Sequence, residues 1–271
     1  MLETRFHGNV VPGGDYRIAK YLAELAPDSE QYHTVNSMIE FDEGMFEDAI
    51  SEAKLAIEIN PNLMRAHGFY GWYLELVHGD AEAALQEYKK AEQIGPPDMT
   101  IQTIMAEPYY MEHKFDLAIK QLSKAIQLDP NATEPHEHLS EVYEADKQYG
   151  NAIDEHEVWR LLSGDDPTTT TNWHQNMRSI LRDKGPRGWW QAQLDGQRKY
   201  PHVDPYWMAQ INARLGNTNQ VFSLLSLAYV ERNRQMIYLL EDDHWDEYRS
   251  YQWFKDLLDK VGLHPSSDAV R

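Results

Sequence analysis

Apolar and small residues recur along this chain at helical spacing. The stretch Phe115 to Pro130 shows it most cleanly: Ala118, Leu122 and Ala125 fall three and four residues apart, which places them on one face of a helix. The two alanines leave room for a neighbouring helix, and Pro130 ends the run. The same pattern recurs up and down the chain. Pro27, Pro61, Pro96 and Pro130 are 34, 35 and 34 residues apart, and Gly164 stands 34 further on. Ala49, Ala84, Ala118 and Ala152 step by 35, 34 and 34, and Phe46, Phe115 and Tyr149 each precede their alanine by three. Gly44 and Gly79 fall at the turns. One repeat is therefore a pair of antiparallel helices closed by a stop residue, and the sequence predicts an all-α solenoid.

Beyond Gly164 the register loosens. Thr168 to Thr171 cap a predicted helix through Trp173, Met177 and Leu181; Gly185-Pro186 turns the chain; Trp189 to Tyr200 is the partner helix, with Trp190 in an alanine slot. A further pair follows at Ala209, Gly216, Leu225 and Ala228. The aromatic-rich end from His244 to Leu263 is expected to cap the last unit. The expected division is residues 1–29 as a partial repeat or capping helix, with a helix over 16–25, then 30–164 as four regular units. Residues 165–235 make two divergent units, and 236–271 a cap and tail. Pro108, inside the third unit's first helix, is expected to kink it.

A period of 34 residues with Gly44, Phe46, Ala49, Ala56 and Pro61 in one copy resembles the tetratricopeptide repeat. The next copies carry Gly71, Gly79, Ala84, Tyr88, Ala91 and Pro96, then Ala106, Tyr109, Phe115, Ala118, Ala125 and Pro130, then Leu139, Tyr143, Tyr149 and Ala152. The resemblance implies a right-handed superhelix of helix pairs with a C-terminal helical cap, acting through protein–protein contacts. Leu215-Gly216, Leu224 to Tyr229, Glu231-Arg232, Trp245, Arg249, Phe254, Leu257-Leu258 and Gly262-Leu263 are similar to the C-terminal repeat region of bacterial multidomain regulators. In those proteins the region follows a winged-helix, serine/threonine kinase or adenylate cyclase domain. That likeness implies an alternative role as a sensory segment of a signalling protein, holding a small ligand or its own effector domain.

In such a stack the first helix of each pair lines the concave side. The register places Met38, Phe41, Phe69, Trp72, Glu75, Ile104, Glu107 and Tyr110 there, followed by Glu134, Glu137, His138, Glu141 and Glu144. The groove runs from aromatic to acidic, which suits a peptide or partner segment with apolar anchors and a basic stretch. The competing expectation is that the aromatics fill the interior and the glutamates are a solvated face.

Charge and composition narrow the classes. Among 271 residues, 44 acidic side chains stand against 25 basic ones, a formal charge of −19. Nucleic-acid binding, which needs lysine and arginine to displace counterions, is not expected. The same sign argues against capture of an acidic C-terminal tail in a basic clamp. With 42% apolar residues a buried core is affordable, and with no cysteine there is neither a disulfide nor a thiolate site. No membrane insertion and a cytoplasmic location are expected, the periplasm remaining open, as does the oligomeric state. His136, His138 and His156 are the candidate metal ligands, His136 and His156 lying on paired helices. They lack an HExxH motif, and core histidines are the favoured reading, with no metal and no cofactor expected. No nucleophile elbow or phosphate loop is present, so the expectation is a non-enzymatic module. The paired Asp242-Asp243 is read as helix capping, and Arg232, Arg234 and Arg249 as surface ion-pair donors.

Overall fold

The computed structural model describes residues 21–22, 25–197 and 202–265. The helix expected over 16–25 lies largely outside the described residues, as does the end of the helix expected to reach Tyr200. In chain order the helices are α1 (Glu30–Asp42), α2 (Phe46–Ile59), α3 (Met64–His78), α4 (Ala81–Ile94), α5 (Met99–Ile104), α6 (Glu107–Met111) and α7 (Phe115–Leu128). They continue as α8 (Glu134–Ala145), α9 (Tyr149–Leu162), α10 (Pro167–Gln197), α11 (Pro205–Leu215), α12 (Thr218–Val230) and α13 (Gln252–Val261). Two 3₁₀ turns, Arg234–Leu239 and Asp243–Trp245, precede α13. No strand occurs among the described residues.

Two compact units divide the chain. The first holds residues up to Pro96 together with 231–241 and the residues from Arg249 on; the second holds Pro97–Val230 and Asp242–Tyr248.

In the first unit the pairs α1/α2 and α3/α4 pack through small residues. Ala49, Ala53, Ala56, Ala84 and Ala91 are fully buried. Gly71 is required for contact: a Cβ there would lie 2.6 Å from the Tyr88 ring. Ser29 and Asp80 cap α1 and α4 by accepting from Tyr32 N and Ala83 N, and Gly79 ends α3 with φ 62°. The C-terminal helix α13 belongs to this unit. The His264 amide donates to the Val77 carbonyl at 2.8 Å, and Gly262 lies against the Phe46 ring.

In the second unit the third repeat's first helix is split. Residue 104 is the carbonyl with which Pro108 would collide, and α5 ends there; α6 restarts with Pro108 in its first turn. Ala118, Leu122 and Ala125 are fully buried, as their register requires. Helix α10 breaks at Gly185 (φ 66°, ψ −173°), followed by Pro186. Trp189 and Trp190 then pack with Ile153, Met177, Leu194, Ile211 and Leu215 in one core cluster. Asp204 caps α11 through Tyr206 N and Trp207 N.

A polar device follows the repeat period. His33, His67 and His136 occupy the same place in the first helix of their pairs, and each Nδ1 meets a carboxylate on the second helix: Glu52 at 2.6 Å, Glu87 at 2.6 Å and Glu155 at 2.7 Å. The third repeat puts the buried amides Gln102 and Gln121 in these two places.

Candidate functional site

The aromatic half of the expected groove is mostly core. Met38 and Phe41 are buried, and the Phe41 ring stacks on Tyr73 at 4.7 Å and meets Trp72 at 5.0 Å. Phe69 and Trp72 remain half-buried, with the Arg65 guanidinium 5.3 Å from the Phe69 ring centre. Glu75 is fully buried and accepts from the Tyr88 hydroxyl at 2.8 Å, so it faces α4. It is thus not a surface carboxylate: its turn of the helix points at the partner helix.

The acidic half gathers in the second unit. Ile104 is half-buried, and Glu134 is exposed in the first turn of α8. Glu107 on α6 pairs with His138 Nδ1 on α8, its side chain only 14% exposed. Burial alone would lower the His138 pKa, but Glu107, with Glu141 and Glu137 beside it, lifts it to about 10. Desolvation pushes Glu137 upward. Glu141 is solvent-exposed by accessible surface, yet loss of hydration in its crowded surroundings, with Glu137, Glu107 and Asp242 near, also raises it.

The remaining two expected residues, Tyr110 and Glu144, belong to a denser network. The buried Tyr110 hydroxyl donates to Asp243 Oδ1 at 2.8 Å. Arg214 on α11 donates from one Nη to both Asp243 oxygens at 2.7 Å and to Glu144 Oε1 at 3.1 Å. Glu144 Oε1 also lies 3.3 Å from His244 Nε2. Asp242 Oδ2 accepts from the Tyr206 hydroxyl (3.0 Å) and from Gln210 (2.8 Å), while its Oδ1 accepts from the His244 amide (3.0 Å) and Nδ1 (2.6 Å). Trp245, with no exposed surface, donates from Nε1 to the Tyr206 hydroxyl at 2.9 Å.

Three carboxylates thus meet one guanidinium and one imidazole. Desolvation works against the Asp242 charge, but His244 and its hydrogen bonds hold the pKa down at about 2. Burial likewise opposes the His244 charge, and Asp242 overcomes it, raising the ring to about 10. Arg214, pulled upward by Glu144 and Asp243 against desolvation, stays charged. Asp242 caps the short turn, as expected of it, yet it is also buried in this network. Arg249 donates to the Leu239 carbonyl at 3.1 Å; Arg214 supplies a cation to Asp243. Arg214, Tyr206, Gln210 and His244 went unrecognised in the sequence because they lie outside the regular repeats.

The metal candidates do not converge. His136 binds Glu155, His138 binds Glu107, and His156 Nδ1 meets His174 Nε2 at 2.8 Å. Tertiary pairing of α9 with α10, beyond the regular register, draws His156 away from His136. Asp242, Asp243 and His244 do offer ligand atoms within 4.8 Å of one another. An ion there would displace the Arg214 fork from Asp243 and the His244 bond to Asp242.

No family model and no curated protein matches this chain. Solved structures do share its fold. PilW, a type IV pilus biogenesis factor, is 14% identical, with 91% of this chain and 92% of that one covered and a TM-score of 0.53. PilF of Pseudomonas aeruginosa is 16% identical over 85% of this chain and 97% of its own, with a TM-score of 0.50. A chain of the APC/C hetero-tetramer Cut9–Hcn1 is 12% identical, with 92% of this chain and 46% of that one covered, at a TM-score of 0.54. These likenesses show the all-α tetratricopeptide-repeat fold and carry no statement of function. No helix among the described residues is long and apolar enough to cross a membrane.

Proposed function

We propose that this chain is a non-enzymatic protein-interaction scaffold whose first-helix faces hold peptide segments. One observation carries the reading: the expected face residues Tyr110 and Glu144, together with α11, already grip a non-repeat stretch of polypeptide, Asp242–Tyr248, by side-chain contacts. A surface that orders a segment of this kind has the chemistry of peptide recognition. Beside it, Glu107, Glu137 and Glu141 supply an acidic rim for a basic side chain, with His138 as its counter-charge; in the first unit Phe69 and Trp72 supply half-buried aromatic surface. The −19 charge weighs against nucleic acid and favours partners with apolar and basic character.

The test is a peptide-array screen on the full chain, followed by Trp72→Ala and Glu141→Lys made separately. The expected result is salt-sensitive binding of basic–apolar peptides, weakened about tenfold or more by one of the two changes. Absence of any binder, or binding indifferent to both changes, overturns the reading.

A further inference from the structure

Residues 231–241 and those from Arg249 on belong to the first unit, so Asp242–Tyr248 enters the second unit as a short insertion with both flanks elsewhere. Its only regular structure is a three-residue turn, and its hold on the second unit comes largely from side chains. The groups that the helices present to it are sorted by chemistry. The Arg214 guanidinium, the Tyr110 and Tyr206 hydroxyls and the Gln210 amide donate to the two adjacent carboxylates. Glu144, the acceptor among them, faces the one basic ring of the segment, and the indole of Trp245 is enclosed completely.

We infer that this site is specific for a segment carrying two adjacent carboxylates, a basic ring and a tryptophan. Asp242–Tyr248 occupies it in cis until a partner protein presents the same pattern. The inference rests on the scaffold reading and names a second class of partner for it. The matching is short-range, through donors fixed at hydrogen-bond distance, and a buried tryptophan is the kind of residue that dominates such contacts. Long-range charge works the other way, since a chain at −19 repels an acidic segment. Binding of this class therefore resists added salt, whereas binding of a basic peptide is weakened by it. A partner repeats the bonds already made, so the exchange costs little in contacts. The resident segment holds its place by its high effective concentration, and a partner displaces it by adding contacts beyond the site.

The experiment uses a fluorescent peptide with the sequence of residues 240–249 on three full-length proteins. These are the unaltered chain, Asp243→Asn with Trp245→Ala to weaken the resident segment, and that variant with Tyr110→Phe and Arg214→Lys added. The expected result is saturable binding at least tenfold tighter to the weakened variant than to the unaltered chain, unaffected by salt and lost again in the third protein. Equal binding to all three, or none to a folded weakened variant, overturns the inference. Dimerisation through exchange of the segment between copies also overturns it, by making the occupant a second copy. If the weakened variant does not fold, hydrogen exchange on the unaltered chain decides. Amides of 242–248 should lose protection when millimolar peptide is added, and unchanged protection is the overturning result. A basic–apolar peptide runs in parallel. If it binds and the acidic one does not, the scaffold reading stands and this inference falls; if neither binds, both fall.

Discussion

His67 Nδ1 lies 2.6 Å from the Glu87 carboxylate while its Nε2 lies 3.0 Å from the Pro61 carbonyl. The ring is thus tied at both nitrogens, to a carboxylate on the paired helix and to the backbone carbonyl of Pro61. The third repeat carries the buried amides Gln102 and Gln121 at the same two places. His67→Gln alone leaves Glu87 buried opposite the wrong group, and about 1–3 kcal/mol of stability should be lost in urea unfolding. Adding Glu87→Gln should recover most of it, with a coupling energy of about 1 kcal/mol or more in the double-mutant cycle.

Ala118 has no exposed surface, and Gly71 abuts the Tyr88 ring. Ala118→Trp and Gly71→Ala should each cost about 1–3 kcal/mol or more through overpacking. Lys120→Ala, on the exposed side of the same α7, should stay within about 0.5 kcal/mol. Chemical denaturation of the three variants checks the helix register directly.

Arg214→Ala strands Glu144 and Asp243 without their cation. Removing one partner of a buried network of this kind should cost about 3–5 kcal/mol. Arg178 also binds two carboxylates, Asp154 and Glu157, but at the surface. Arg178→Ala should cost no more than about 1 kcal/mol, and thermal unfolding separates the two cases.

The histidines set opposite limits on pH. Burial, with His174 and Arg160 close by, lowers His156 to about 4. His174 donates from Nδ1 to the Thr170 carbonyl and is itself lowered, so both rings are held neutral. The unfolded chain takes up the His156 proton first, so this contribution is present above about pH 6.5 and lost as pH falls towards 4. His244, raised to about 10, behaves conversely: its contribution is complete below about 6.5 and lost as pH rises towards 10. Unfolding free energy measured across this range should fall on both sides, with His156→Gln flattening the acid limb and His244→Gln the alkaline one.

The repeat was readable because close helix contacts admit only small residues, and Ala49, Ala84, Ala118 and Ala152 carry that restriction at one period. Pro108 announced its break by the same local logic. The filled face was not readable. Asp243 meets Tyr110 across 133 residues, Arg214 meets Glu144 across 70, and Asp242 meets Tyr206 across 36, and in each pair one or both residues lie beyond the four regular repeats. Adjacent aspartates before a short turn look like ordinary caps, and only tertiary burial distinguishes this pair. Glu75 was misplaced for a related reason: a carboxylate in the register of the open face looks exposed until the Tyr88 hydroxyl is found opposite it.

The hydrogen bond from His264 to Val77 also imposes an order on biosynthesis. The first unit is interrupted between Pro96 and Glu231 by 134 residues (230 − 96). At about 5–20 residues per second, roughly 7–27 s of translation separate its two parts. The pairs α1/α2 and α3/α4 therefore wait, with the Val77 carbonyl at the end of α3 lacking its His264 donor, for polypeptide made much later, while the pairs α7/α8 and α8/α9 have all their residues in hand sooner.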